Sequence, residues 1–130
     1  MTARTQVETN AAPAAIGPYS QAIRTDELIF TAGQLGSDPA SGELAEGAAA
    51  QADRAIRNLT AILDAAGTSL ERVVKTTVFL ADFADFAAVN EIYASHFSTP
   101  YPARSTVAVK ALPKGALVEI EAVALSGERG

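Results

Sequence analysis

Cysteine is absent from the chain. Its absence removes disulfides, thiolate metal sites and a cysteine nucleophile together. Histidine occurs once, at His96, so a histidine zinc centre and a His-based triad both lack their parts. No metal and no other cofactor is expected. His96 falls near the end of a predicted helix, where the helix dipole favours a cation, and it reads as a surface or structural residue. Cations are scarce as well: ten Lys and Arg against fifteen Asp and Glu leave a net charge of −5, with no run of Lys or Arg. A protein that grips phosphate backbones presents a basic face, so no nucleic-acid partner is expected. Gly33-Gln34-Leu35-Gly36 is not a phosphate loop, because the Lys-Ser/Thr that such a loop requires is missing. No apolar run is long enough to cross a bilayer, and the first eight residues lack the apolar stretch of an export signal. The expectation is a cytoplasmic protein with no membrane partner.

What the chain does have is apolar residues, 48% of its 130 positions. That is enough to bury a real core in one domain spanning residues 1–130. Gln6-Val7-Glu8 reads as a short first strand. Tyr19 to Thr25 alternates weakly, and Leu28 to Gly33 alternates better; with Asp26-Glu27 between them they form a predicted hairpin. Gly36 to Gly42 is a loop. Ala52, Ala55, Ile56, Leu59, Ile62, Leu63 and Ala66 recur at three- and four-residue steps, which predicts an amphipathic helix stopped by Gly67. Val73 to Leu80 is a strand with β-branched residues at both parities, expected to be covered on both faces. Asp82 to Asp85 offers caps for a second helix with Phe86, Val89, Tyr93 and Phe97 on one stripe. Strands at Arg104–Val109 and Leu117–Leu125 complete the order. Mostly antiparallel strands with two helices on one face, an α+β arrangement, is the natural solution. The other face of such a sheet would be covered by self-association.

The stretch Pro100 to Lys110 holds the first candidate for chemistry. Two prolines lead into a strand on which Arg104, Thr106 and Ala108 point one way and Ser105, Val107 and Val109 the other. Arg104 opens a strand otherwise made of small or apolar residues. Its rigid fork suits a carboxylate or phosphate held through two hydrogen bonds; the alternative is a strand-end arginine in solvent or paired with a protein carboxylate. After the turn Leu112-Pro113-Lys114-Gly115-Ala116 comes a strand with Glu119 and Glu121 on one otherwise apolar face. They are either edge-strand charges that deter aggregation or working groups. If the last two strands form a simple hairpin, Ala108 faces Glu119 and Arg104 lies roughly 13 Å further along the ladder. That is too far for one small substrate, so either the connection is not a simple hairpin or another subunit completes the site. Asn90 lies on the apolar stripe of the second helix, where a buried amide requires partners. It either ties down a neighbouring loop backbone or supports a pocket. Tyr19, after Gly17-Pro18, has a flat apolar body and a polar tip suited to closing a pocket. Gly33 would let a backbone amide approach a ligand closely.

Arg104-Ser105-Thr106-Val107, Leu112-Pro113-Lys114 and Val118-Glu119-Ile120-Glu121-Ala122 together resemble the C-terminal signature of the RidA/YjgF family of enamine/imine deaminases. The resemblance extends to Ala15–Ala22, Thr31–Gln34, Val74–Leu80 and Phe86–Asn90, in the family's order and over nearly the whole chain. It implies a chorismate-mutase-like α+β fold assembled as a homotrimer with sites at subunit interfaces. It also implies that Arg104 binds the substrate carboxylate, that Glu119 orients the attacking water, and that Tyr19 helps to close the pocket. Many family members have serine where this chain has Ala32 and cysteine where it has Thr106. Thr106 keeps a hydroxyl that can bind water or substrate but cannot be a thiolate.

The expected activity is hydrolysis of small 2-enamine and 2-imine acids (2-aminoacrylate, 2-iminopropanoate, 2-iminobutanoate) to 2-oxo acids and ammonia. Such molecules hydrolyse unaided, so orientation and charge placement suffice. Arg104 would fix the carboxylate, backbone groups near Gly33 and Thr106 would set the imine, and Glu119 with Thr106 would hold the water. The rivals are a related deaminase of a degradative pathway on the same scaffold, and a non-catalytic, chaperone-like protein that binds small carboxylates.

Overall fold

The structure is a computed structural model that describes residues 3–127. Among these residues lie seven strands and two α-helices. The strands are β1 (Thr5–Val7), β2 (Ala22–Arg24), β3 (Leu28–Thr31), β4 (Gln34–Leu35), β5 (Val73–Leu80), β6 (Ala103–Ala108) and β7 (Val118–Leu125). The helices are α1 (Ala48–Ala65) and α2 (Phe86–His96). All strands join one sheet in the order β1-β2-β3-β7-β5-β6, with β4 also on β7. Every pairing is antiparallel except β5–β6. A parallel neighbour requires a crossover, and α2 supplies it.

The order overturns the expected terminal hairpin. β6 does not pair with β7; β5 lies between them, holding β6 in parallel on one edge and β7 in antiparallel on the other. It also overturns the edge-strand account of Glu119 and Glu121, because β7 is central, flanked by β5 on one side and by β3 and β4 on the other. β4 was not expected. It continues β3 along β7 after a bulge, in which Thr31, Ala32 and Gly33 lie opposite only Glu121 and Ala122.

Alternation sets the layers. Val118, Ile120, Ala122 and Ala124 on β7, with Val78 and Leu80 on β5 and Ile29 on β3, are buried beneath the helices. Above them α1 lays down Ala52, Ala55, Ile56, Leu59, Ile62 and Leu63, all inaccessible to solvent. Each fully buried Leu or Ile contributes roughly 1.5–3 kcal/mol through removal from water. α1 begins one turn before the expected Ala52, and Ala66 and Gly67 (φ +81°) end it where the periodicity stops. α2 is preceded by a short turn whose Ala84 N–H donates to Asp82 Oδ1 at 2.9 Å, and it buries Val89, Tyr93 and, just beyond its end, Phe97. His96 ends α2 and sits 2.7 Å from Asp53 of α1. The ion pair with Arg57 and then the His96 contact hold the Asp53 carboxyl below its ordinary range, so His96 serves as a helix–helix tie. Among the described residues no helix is long and apolar enough to cross a membrane.

Contrary to the expectation for β5, only one face of the sheet is covered within the chain. Phe30 and Val107, on the opposite face, stay exposed, as does Leu125 at its margin.

Candidate active site

The residues with chemical potential gather in two clusters. The first lies at the outer edge of the sheet, where β6 meets α2. Arg104 is the ladder partner of Thr76 on β5, so it points to the helix-bearing face. Its guanidinium carbon lies 4.7 Å above the ring of Tyr93 and 5.7 Å from that of Phe86, within the range of cation–π attraction. Its Nη1 donates to Asn90 Oδ1 at 2.7 Å. Among the described residues no carboxylate pairs with it. Arg104, Asn90 and Tyr93, with Ala94, Tyr101 and Pro102, line an open cavity of about 400 Å³. Asn90 therefore does not tie down a loop backbone: half-buried, it accepts from the guanidinium and turns it toward the cavity. Thr106, two residues along β6, shares the face of Arg104 and is half-buried.

Tyr93 and Thr76 were not among the expected site residues. Tyr93 belongs to the apolar stripe, and Thr76 lies on a strand read as core. Both are buried, and their hydroxyls lie 2.7 Å apart. Burial raises the Tyr93 phenol above its ordinary value, against smaller opposing effects of the Thr76 hydrogen bond and the Arg104 charge. A threonine in place of valine at a fully buried strand position is the one sign in the sequence that could have flagged the pair.

The second cluster surrounds Glu119. Its cavity, about 470 Å³, is lined by Tyr19, Gly33 and Glu119, by Pro13, Ala14 and Ile16, and by the loop from Ser37 to Gly42 with Lys114. Glu119 is half-buried, and desolvation raises its carboxyl above the ordinary range; the nearby charge of Glu121 adds to this. Gly33 faces the Glu119 carboxylate. A Cβ built on it would stand 2.3 Å from Glu119 Oε2 and 2.8 Å from its Cδ, so the glycine makes room for the carboxylate. Tyr19 lies over the cavity from the loop before β2, its hydroxyl 3.4 Å from the Ile16 N–H, which donates to it.

The walls of this cavity are held by amides that sequence reasoning passed over. Buried Gln21 donates to the carbonyls of Ala12 and Pro13 and accepts from the Thr9 N–H. Fully buried Asn58 donates to the carbonyls of Leu35 and Ser37. Gln51 donates to the Ala45 carbonyl and accepts from the Leu117 N–H. Lys114, in the left-handed region at φ +62°, reaches across to the Gly42 carbonyl at 2.9 Å. Each satisfies backbone groups that an irregular loop leaves unpaired.

The two clusters do not meet within one chain. Glu119 is the ladder partner of Phe79, whose neighbours Val78 and Leu80 are buried under the helices; Glu119 thus points to the uncovered face. Arg104 points to the helix face. Two inter-strand spacings and three residues along the ladder separate them, roughly 14 Å between backbones. Asn90 and Thr106 stay with Arg104, and Tyr19 and Gly33 stay with Glu119. Among the described residues no group of three His, Asp or Glu is placed to hold a metal ion.

A helix-backed, mostly antiparallel sheet with an exposed arginine on an aromatic cradle and a separate desolvated carboxylate defines a small α+β protein. The Endoribonuclease L-PSP family model matches residues 9–126, and the chain belongs to that family, the RidA/YjgF family. It is 58% identical over 118 residues to RutC family protein y4sK of Sinorhizobium fredii, covering 90% of this chain and 94% of that one. It is 52% identical over 125 residues to the human 2-iminobutanoate/2-iminopropanoate deaminase, covering 95% and 91%. The crystal structure of RidA from an Antarctic Psychrobacter superposes with a TM-score of 0.91 at 49% identity, covering 93% and 98%.

Proposed function

We propose that the protein hydrolyses reactive 2-enamine and 2-imine acids to 2-oxo acids and ammonia, without a cofactor, at sites each assembled from two copies of the chain in a homotrimer. The observation that carries this reading is the split of the candidate site. One cluster has a guanidinium with no carboxylate partner among the described residues, and the other has a desolvated carboxylate and a roomy pocket. Neither is sufficient alone. Bringing the uncovered sheet face of one copy against the β6 edge of the next would join them and cover Phe30 and Val107. Cyclic, head-to-tail contacts of this kind close into rings. The human deaminase, 52% identical, supports the substrate class.

In the assembled site, Arg104 holds the carboxylate of 2-iminopropanoate or 2-iminobutanoate through two parallel hydrogen bonds. 2-Aminoacrylate enters after its carbon is protonated to the imine. Backbone groups near Gly33 and Thr106 set the imine, and Tyr19 closes the pocket. Glu119, made more basic by desolvation, takes a proton from a water held with Thr106. The water oxygen bonds to the imine carbon as the nitrogen takes up the proton held by Glu119; the hydroxyl proton of the tetrahedral carbinolamine then passes through Glu119 to the amine, and ammonia leaves as the C–N bond breaks and the carbonyl forms. Ala32 and Thr106, where relatives commonly carry Ser and Cys, set the substrate range. We read residues 1–130 as one domain acting in the cytoplasm on small molecules. Cleavage of RNA is disfavoured by the net charge of −5.

Mixing inactive subunits tests the assembly. Arg104→Ala and Glu119→Gln proteins, unfolded together and refolded, should regain about one quarter of wild-type sites, since a ring of mixed copies pairs intact clusters at that frequency. No recovery, or a catalytically active species of 13.4 kDa by light scattering, would defeat the shared-site reading.

Gly33→Ala tests the pocket. The new methyl group must push the Glu119 carboxylate aside, and a shift of about 1 Å can cost on the order of 10²-fold in rate. We expect kcat to fall by about that factor while circular dichroism and the melting temperature change little. A rate within twofold of wild type would show that the Glu119 position is not critical.

A further inference from the structure

We propose that Tyr93 is a positioning residue for Arg104, its ring a platform for the guanidinium and its hydroxyl, locked by Thr76, the device that fixes the platform's tilt. The proposal rests on the reading of Arg104 as the carboxylate ligand and deepens it. Thr76 and Arg104 are cross-strand partners on β5 and β6, so their side chains stand side by side on the helix face. Tyr93 comes down from α2 and touches both. Its ring lies under the guanidinium at 4.7 Å, and its hydroxyl is 2.7 Å from Thr76 Oγ1. The ring also stacks on Phe97, centroids 4.3 Å apart. The phenol is thereby held at three places, while Arg104 itself is exposed.

Stability alone gives no reason for this pair. Two buried hydroxyls can be exchanged for apolar groups of the same shape at almost no net cost, because their mutual hydrogen bond only replaces bonds to water. Thr76 is 0% exposed and Tyr93 4%, so valine and phenylalanine would fill the same space. What the hydrogen bond adds is direction. A free phenyl ring can tilt, and a guanidinium resting on it would tilt too; a fork that must meet two carboxylate oxygens in one plane tolerates little of that. Asn90 fixes the guanidinium about the remaining axis by accepting from Nη1. The arginine of an edge strand, with a long and flexible stem, thus receives the orientation that its strand cannot provide.

The test compares binding of pyruvate, an unreactive 2-oxo acid, with binding of pyruvamide, which has the same shape but no carboxylate. The preference for pyruvate reports the placement of the guanidinium, whereas general damage to the fold weakens both ligands alike. Tyr93→Leu removes the platform and should lower the preference about 5-fold, the upper end for a cation–π contact at an exposed site. The isosteric double variant Thr76→Val/Tyr93→Phe keeps the ring, loses the lock and should lower it about 3-fold, with a wild-type melting temperature. For the imine substrate both variants should raise KM by similar factors and leave kcat within about twofold. Should Tyr93→Leu fail to fold, the double variant decides by itself. Arg104→Ala is measured alongside. If it abolishes the preference while either folded variant retains it in full, the positioning role is overturned and the Arg104 reading stands. If Arg104→Ala itself retains the preference, both fall.

Discussion

Arg104→Ala should lower kcat/KM by roughly 10²- to 10³-fold, the consequence of losing a charge-assisted contact worth on the order of 3–4 kcal/mol. Arg104→Lys should recover less than about a tenth of the deficit. Lysine keeps the charge, but its ammonium cannot present two parallel donors to a carboxylate, and it cannot lie flat on the Tyr93 ring as a guanidinium does. The fold should be indifferent to either change. Arg104 is exposed on an edge strand, and its protein contacts are one hydrogen bond to Asn90 and two aromatic faces. Surface substitutions of this kind move stability by about 0.5 kcal/mol or less. Steady-state kinetics on enzymatically generated 2-aminoacrylate, with release of the 2-oxo acid timed against the unaided reaction, would check the result. Near-wild-type rates for Arg104→Lys would mean that charge alone is used and that the planar fork has no part in recognition.

The same strand shows how far local pattern carries. Alternation correctly placed Arg104 and Thr106 together on one face of β6 and Glu119 with Glu121 on one face of β7. The bounds of Val73–Leu80 were equally legible, and so was the apolar stripe of α1, because helical periodicity reports directly which side of the element is buried. Pairing is another matter. Nothing within β6 or β7 encodes that β5 will lie between them, since a strand's partners are set by where the crossover helix finds room on the sheet. A hairpin was therefore the natural guess, and the true order changes the site. It puts Glu119 on a central strand and on the opposite face from Arg104. Distance and direction together keep Arg104 and Glu119 of one chain apart. Gln21, Gln51 and Asn58 escaped notice for a related reason: an amide on a strand or helix reveals its purpose only when the loop it satisfies is known. Lys114, adopting a positive φ that favours glycine, carries no local signal at all.

Glu119→Gln should slow hydrolysis by something like 10²-fold, the low end for a general acid–base contribution, while affinity for pyruvate stays within about twofold because Arg104 still holds the carboxylate. A protein that only binds carboxylates would show the reverse, with no turnover to lose. The desolvation that equips Glu119 as a base also dictates two dependences on pH. In the wild type the rate should fall as pH drops through the raised pKa of this carboxyl, above the ordinary 4.5, and that acid limb should vanish in the variant. Stability runs the other way. A carboxyl with a raised folded pKa contributes its full stability below the ordinary value and loses it as pH rises through the folded one. Glutamine cannot ionise, so Glu119→Gln should melt with the wild type in acid and above it at neutral pH, the less active protein being the more stable. Glu121→Gln is the control, on the same face of β7 but outside the lining of the Tyr19 pocket. Its turnover should stay within about threefold of wild type, through the small charge effect it has on Glu119. Equal losses from the two substitutions would mean that the charge of the β7 face, and not a base at one position, governs the reaction.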